Sequence, residues 1–197
     1  MSYPKILLMR HGETEWNVLG RTQGVLNSPL TANGRAQAEQ LGRILFREIG
    51  SASGFDQYVS PLGRTLETAE GIKKHFDLAP IEDDRIQEIN LGKIGGMTRF
   101  EVENEMPEQL EGKKGYEWYY GAPGGETFEQ VYARSKSWLN SLKGPTIAVS
   151  HGQVGKVIRG IYCGFSKAQM LVLGEPQGVV HVLENGQETI WRETADA

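Results

Sequence analysis

Ile6-Leu7-Leu8-Met9-Arg10-His11-Gly12 is the stretch on which the fold turns. Four consecutive apolar residues without polar alternation suit a strand covered on both faces, as in a parallel sheet. The run then ends abruptly in an arginine, a histidine and a glycine. Thr146-Ile147-Ala148-Val149-Ser150-His151-Gly152 repeats the pattern far along the chain, and Tyr58-Val59 with its flanks forms a third short apolar run. In open α/β sheets, ligands collect at the carboxyl ends of the strands. Both histidines are therefore expected at one edge of the sheet, close in space, each followed by a glycine that admits a substrate to the backbone.

Amphipathic helices separate the apolar runs. Thr31 is a candidate N-cap, after which Ala38, Leu41, Leu45 and Ile49 fall at helical spacing. Pro61 suits the first turn of a helix reaching His75. Thr127 and Gln130 have capping-box spacing before a helix that stops ahead of Gly144-Pro145, and Gly155 to Tyr162 reads as another helix. Val179 to Leu183 and Thr189 to Trp191 flank Asn185-Gly186, a two-residue hairpin signal. The order predicts a three-layer α/β/α sandwich around a mostly parallel central sheet. Residues 1–197 are expected to form a single domain. An irregular, lid-like excursion at about 105–125 interrupts the rhythm, carrying Tyr116, Trp118, Tyr119 and Tyr120.

The 197 residues carry a net charge of −4, with 21 Lys and Arg scattered along the chain, which argues against a nucleic-acid partner. Ile6 to Met9 is too short for a signal-peptide core or a membrane span, so no membrane partner and a cytoplasmic location are expected. Cys163, the single cysteine, stands among Ile161, Tyr162 and Phe165, where a buried structural thiol is the simpler reading. His75 and His181 are read as structural, one on a charged helix and one inside a strand.

Arg64 follows the second apolar run within Ser60-Pro61-Leu62-Gly63-Arg64-Thr65. A helix starting at the same sheet edge aims Arg64 and free backbone N–H groups at the two histidines. Two guanidinium groups and two imidazoles around one point suit a dianionic phosphoryl group. Zinc binding and two buried core histidines are the alternatives. Against zinc stand the lack of an H-E-x-x-H motif or cysteine pair and the neighbouring Arg10.

Leu8 to Asn17 resembles the signature of the histidine phosphatase superfamily, the branch of cofactor-dependent phosphoglycerate mutases and related phosphatases. Further blocks follow in the family's order: Arg21 to Gly24 with Ser28 to Thr31, Ser60 to Ala69, Gln87 to Gly92, Pro123 to Thr127, and Ser150 to Gly152. The resemblance implies that His11 is the nucleophile and accepts the phosphoryl group on a ring nitrogen. It implies that Arg10, Arg64 and His151 hold the phosphoryl oxygens and stabilise transfer, with Asn17, Gln23 and Gly152 completing the phosphate site. Glu88 is implied as the group that protonates the leaving oxygen and then deprotonates water. A single carboxyl can serve as acid and then base, and fixed cations can take the place of a metal. No metal and no cofactor are implied. The chain departs from the common pattern at Gly92-Lys93-Ile94-Gly95-Gly96, at Thr65 and at Gln153.

Gln23 to Thr31 resembles the phosphatase branch, and only Arg99 lies between Glu88 and Gly124, where mutases carry paired arginines. The expected activity is metal-independent hydrolysis of a small phosphorylated metabolite. A mutase is the second reading and a non-catalytic phosphoryl-binding domain the third, although both His11 and Glu88 are present. Tyr116 to Tyr120 is expected either to close over an organic substrate or to form the contact of a homodimer.

Overall fold

The computed structural model describes residues 3–193, so residues 1–2 and 194–197 of the expected 1–197 domain lie outside it. Six strands form one sheet: β1 (Ile6–Arg10), β2 (Asp56–Val59), β3 (Ile81–Glu82), β4 (Thr146–Ser150), β5 (Val180–Glu184) and β6 (Gln187–Trp191). Their order is β3-β2-β4-β1-β5-β6. The first four are parallel, and β5 and β6 complete the sheet in antiparallel fashion. β1 and β4 are neighbours in a register that sets Arg10 beside Ser150, which puts the residues after them, His11 and His151, at one sheet edge. The expected architecture is present.

Side chains of β1 alternate between two cores. Ile6 and Leu8 pack with Trp138, Val154 and Ile158, whereas Leu7 and Met9 pack with Leu41, Leu45 and Ile72. Both faces are covered, and this is why the strand reads as an unbroken apolar run. The helices are α1 (Glu15–Val18), α2 (Ala32–Ile49), α3 (Gly63–Lys73), α4 (Arg99–Glu105), α5 (Phe128–Ser141), α6 (Gly152–Cys163) and α7 (Lys167–Leu171). α2 and α3 cover one face of the sheet, and α5 and α6 the other. Thr31 and Thr127 cap α2 and α5 as expected, the latter in a capping box with Gln130. Asn185 and Gly186 both take positive φ in the turn between β5 and β6. Cys163 is half-buried at the end of α6. Among the described residues, no helix is long and apolar enough to cross a membrane.

Several expectations need correcting. α3 begins at Gly63 with extended Leu62 as its cap, so Pro61 lies before the helix, and α3 ends short of His75. α6 begins at Gly152 and not at Gly155, and its N-cap His151 makes no side-chain cap bond. The Glu88 carboxylate instead accepts from the N–H groups of Gln153 and Val154, a partner invisible to local sequence. α4 opens the irregular stretch with a Thr98–Glu101 capping box. From 106 to 127 only short 3₁₀ turns occur, with Gln109, Trp118 and Tyr120 buried among them.

Candidate active site

His11 follows directly from β1, and its backbone N–H donates to Ser150 O, tying it to β4. The ring is 3% exposed. Its Nδ1 lies 2.8 Å from Gly12 O, and because a carbonyl only accepts, Nδ1 carries the proton. Nε2 is therefore the nitrogen with a free lone pair. Burial, and then the charges of Arg10 and Arg64, push the imidazole pKa well below its ordinary value. The ring is accordingly neutral at neutral pH.

The His151 ring stands 5.3 Å from that of His11, centroid to centroid. Its Nε2 bonds Ser60 Oγ at 2.7 Å, and its Nδ1 is buried without a partner among the described residues. Burial, followed by Arg64, lowers this pKa too. Arg64 is 1% exposed. Its Nη1 and Nη2 donate to Leu26 O and Gly24 O, both at 2.7 Å, and its Nε has no partner among the described residues. Burial lowers its pKa to about 10, which still leaves it charged. The backbone N–H of Arg64 is taken by Asn27 Oδ1, so this donor of the helix start is not free for the pocket. Arg10 donates from Nη1 to Glu175 O at 2.7 Å and keeps a buried Nε without a partner among the described residues.

Asn17 Oδ1 accepts from Thr14 N and Gln177 Nε2, leaving its own NH₂ for another partner. Gln23 Nε2 sits 2.6 Å from Thr14 Oγ1, with Oε1 buried and without a partner among the described residues. Turning this amide over lets the Thr14 hydroxyl donate to Oε1 and frees the NH₂ for an anion. Glu88 is 9% exposed. Its Oε1 accepts from Ile89 N and Val154 N, and its Oε2 from Gln153 N, at 3.0–3.1 Å. Arg134, on α5, donates to the carbonyls of Arg85, Gln87 and Glu88 and pairs with Glu126, which fixes the segment carrying Glu88.

Arg10, His11, Asn17, Gln23, Arg64 and Glu88 line one pocket together. His151 and Gly152 border an adjoining narrow void that shares Arg10 and Glu175. The two glycines also serve a packing purpose that the sequence did not announce. A Cβ on Gly12 would strike the backbone of Gly34 in α2, and one on Gly152 would strike Glu175 Oε2. Close packing of the site against α2 and against the 172–178 segment requires them.

The order of these blocks and the shape around them match known proteins. A sequence model of the histidine phosphatase superfamily (branch 1) matches residues 6–193. The chain belongs to this superfamily. It is 35% identical over 164 residues to Phosphoserine phosphatase 1 of Hydrogenobacter thermophilus, covering 81% of this chain and 74% of that one. It is 32% identical over 158 residues to a probable phosphoglycerate mutase GpmB of Photorhabdus laumondii, covering 75% and 69%. The solved structure of Bacillus stearothermophilus YhfR superposes with a TM-score of 0.80 at 30% identity, covering 96% of each chain.

Glu175, Gln177 and Arg134 escaped sequence reasoning as site residues, and Tyr119 was marked only as part of an aromatic segment. Glu175-Pro176-Gln177 sits in an irregular link with no motif, and Tyr119 is one of several aromatic residues in its segment. Arg134 follows no strand and looks like any solvated helical arginine. Trp118 and Tyr120 are buried in the chain's own core, and Tyr119 lines the pocket. His75 lies beside Glu39 at the surface, and His181 bonds Glu188 at 2.7 Å, as structural readings expect.

Proposed function

We propose that this protein hydrolyses small phosphomonoesters through a phosphohistidine on His11. The observation that carries the reading is the tautomer: Nδ1–H is committed to Gly12 O, so Nε2 is the nucleophile, in a pocket shared with Arg10, Arg64 and Glu88. In the first step the Nε2 lone pair attacks phosphorus and the phosphorus–ester oxygen bond breaks. That electron pair leaves on the ester oxygen, which takes a proton from Glu88. Oε1 already accepts two N–H donors and Oε2 one, so Oε2 is the better oxygen to carry that proton. In the second step Glu88 removes a proton from water as the water oxygen bonds phosphorus. The phosphorus–nitrogen bond breaks and its pair returns to Nε2. Arg10, Arg64, Asn17, Gln23, His151 and Gly152 hold the phosphoryl oxygens while negative charge shifts.

Release of phosphate from p-nitrophenyl phosphate in EDTA, abolished by His11→Ala, tests the reading. Metal-dependent release, or release that survives the substitution, contradicts it. A phosphoglycerate mutase is the second reading, favoured by the Photorhabdus relative. Isomerisation of 3-phosphoglycerate that depends on 2,3-bisphosphoglycerate and releases no phosphate would establish it. Segment 105–125 contributes Tyr119 to the pocket, which supports its reading as a cover over the leaving group. A small cytoplasmic metabolite as substrate, and action without nucleic acid or membrane, complete the proposal.

A further inference from the structure

Gln153 starts beside the acid. Its backbone N–H donates to Glu88 Oε2 at 3.1 Å, so its side chain begins where the leaving oxygen must receive its proton. Its Nε2 donates to Glu175 Oε2, also at 3.1 Å. A carboxylate only accepts, so this bond fixes the amide orientation, because turning it over would set two acceptors against each other. The amide Oε1 is consequently held as an acceptor, and it is buried with no partner among the described residues. Buried acceptors are ordinarily hydrogen-bonded. Both Gln153 and Glu175 line the pocket.

Glu175 is itself firmly placed. Its carbonyl receives Arg10 Nη1, and the preceding Gly174 carbonyl receives Arg159 Nη1, each at 2.7 Å. Lys156, 2% exposed, brings Nζ to 3.7 Å from Glu175 Oε2 and lies 3.5 Å from the centroid of the Tyr116 ring. Oε2 is thus committed to Gln153 and Lys156. Oε1 has the looser approach, 4.0 Å from Arg10 Nη1. Of the two pocket-lining side chains, Gln153 Oε1 and Glu175 Oε1 are therefore the acceptors left without a hydrogen bond among the described residues, beside an otherwise cationic site.

We propose that Gln153 and Glu175 form a specificity pair that reads a hydrogen-bond donor, hydroxyl or ammonium, carried by the leaving group. The proposal rests on the hydrolase reading and names the substrate class for it. Gln153 Oε1 accepts from either donor, and Glu175 both orients that amide and adds attraction for an ammonium. A leaving group that is purely apolar leaves the amide oxygen unpaired and is disfavoured.

The test uses three phosphomonoesters of matched length, O-phosphoethanolamine, 2-hydroxyethyl phosphate and propyl phosphate, with p-nitrophenyl phosphate as the reference. The wild-type protein is expected to favour the first two over propyl phosphate by at least about tenfold in kcat/KM. Gln153→Leu is expected to bring both ratios near one, and Glu175→Gln to reduce the amine preference more than the hydroxyl preference. Equal kcat/KM for the three esters in the wild type overturns the proposal without any variant having to fold. Ratios unchanged in both variants overturn it as well. Hydrolysis of p-nitrophenyl phosphate without such a preference removes the specificity pair alone. Failure to release phosphate from all four removes the hydrolase reading and the pair with it.

Discussion

The phosphoryl end that we propose is formed by Arg10, His11 and His151, at the ends of two neighbouring strands, and by Arg64 on the first turn of a helix packed against the same sheet. The leaving-group end that we propose is formed by Gln153, Glu175 and Tyr119, which come from a helix start and two irregular segments. The first end is rigid because core side chains on both faces of β1 and β4 hold it. The second is held by polar links: Arg10 to Glu175, Gln153 to Glu175, and Lys156 to Glu175. A phosphoryl group is common to every phosphomonoester and a leaving group is not. Substitutions at the phosphoryl end should therefore weaken all substrates alike, whereas those at the other end should change their ranking.

Glu88 stands at the boundary and gives the largest contrast. Glu88→Gln is expected to lower kcat/KM, which reports the transfer step in which the leaving group departs, by about 10²–10⁴-fold on alkyl phosphates, the usual worth of a positioned acid. The loss should be much smaller on p-nitrophenyl phosphate, whose leaving oxygen needs little protonation. Equal losses on both would remove Glu88 from the acid role. Arg64→Lys keeps a charge but loses the planar fork, and about 10²-fold in kcat/KM should disappear, by the same factor for every ester. A loss that varies with the leaving group would blur the division between the two ends.

Smaller effects are expected from Tyr119 and from pH. Tyr119→Ala opens the wall of the leaving-group end and should raise KM for bulky esters by about tenfold or less, with small esters spared. A uniform effect across esters would show that Tyr119 acts through the phosphoryl end. The buried imidazoles of His11 and His151 both have lowered pKa values in the folded state. Below about pH 6.5 the unfolded chain takes up protons that the folded chain refuses. Stability from this source is complete above that pH and declines as pH falls toward the folded values. Urea unfolding at pH 7.5 and 5.5 should show the decline, reduced in His151→Gln; an identical decline in that variant would place its cause elsewhere.

The same division governs how much was legible in the sequence. The apolar runs before Arg10-His11 and Ser150-His151 announce strands covered on both faces, and parallel pairing then brings the two histidines together. Glu88 was legible only through the family's order of motifs, since nothing local marks it. Its anchoring by the N–H groups of Gln153 and Val154, and the clamp from Arg134, depend on pairings 65, 66 and 46 residues apart. The start of α6 was misplaced for the same reason, because its cap is the side chain of Glu88. Glu175 carries no pattern at all: a carboxylate in a Gly-Glu-Pro-Gln link looks solvated until Arg10, Gln153 and Lys156 are seen around it. Strand-built parts follow from periodicity, whereas loop-built parts follow from distant partners.

The central claim is that His11 itself takes the phosphoryl group on Nε2. Mixing the protein with excess p-nitrophenyl phosphate, quenching in alkali after a few milliseconds and mapping the peptides by mass spectrometry tests this directly. Phosphate should be found on His11 and on no other residue, and it should vanish at the rate of turnover once the substrate is exhausted. Turnover without any phosphorylated peptide, or label on His151 in place of His11, would contradict the account.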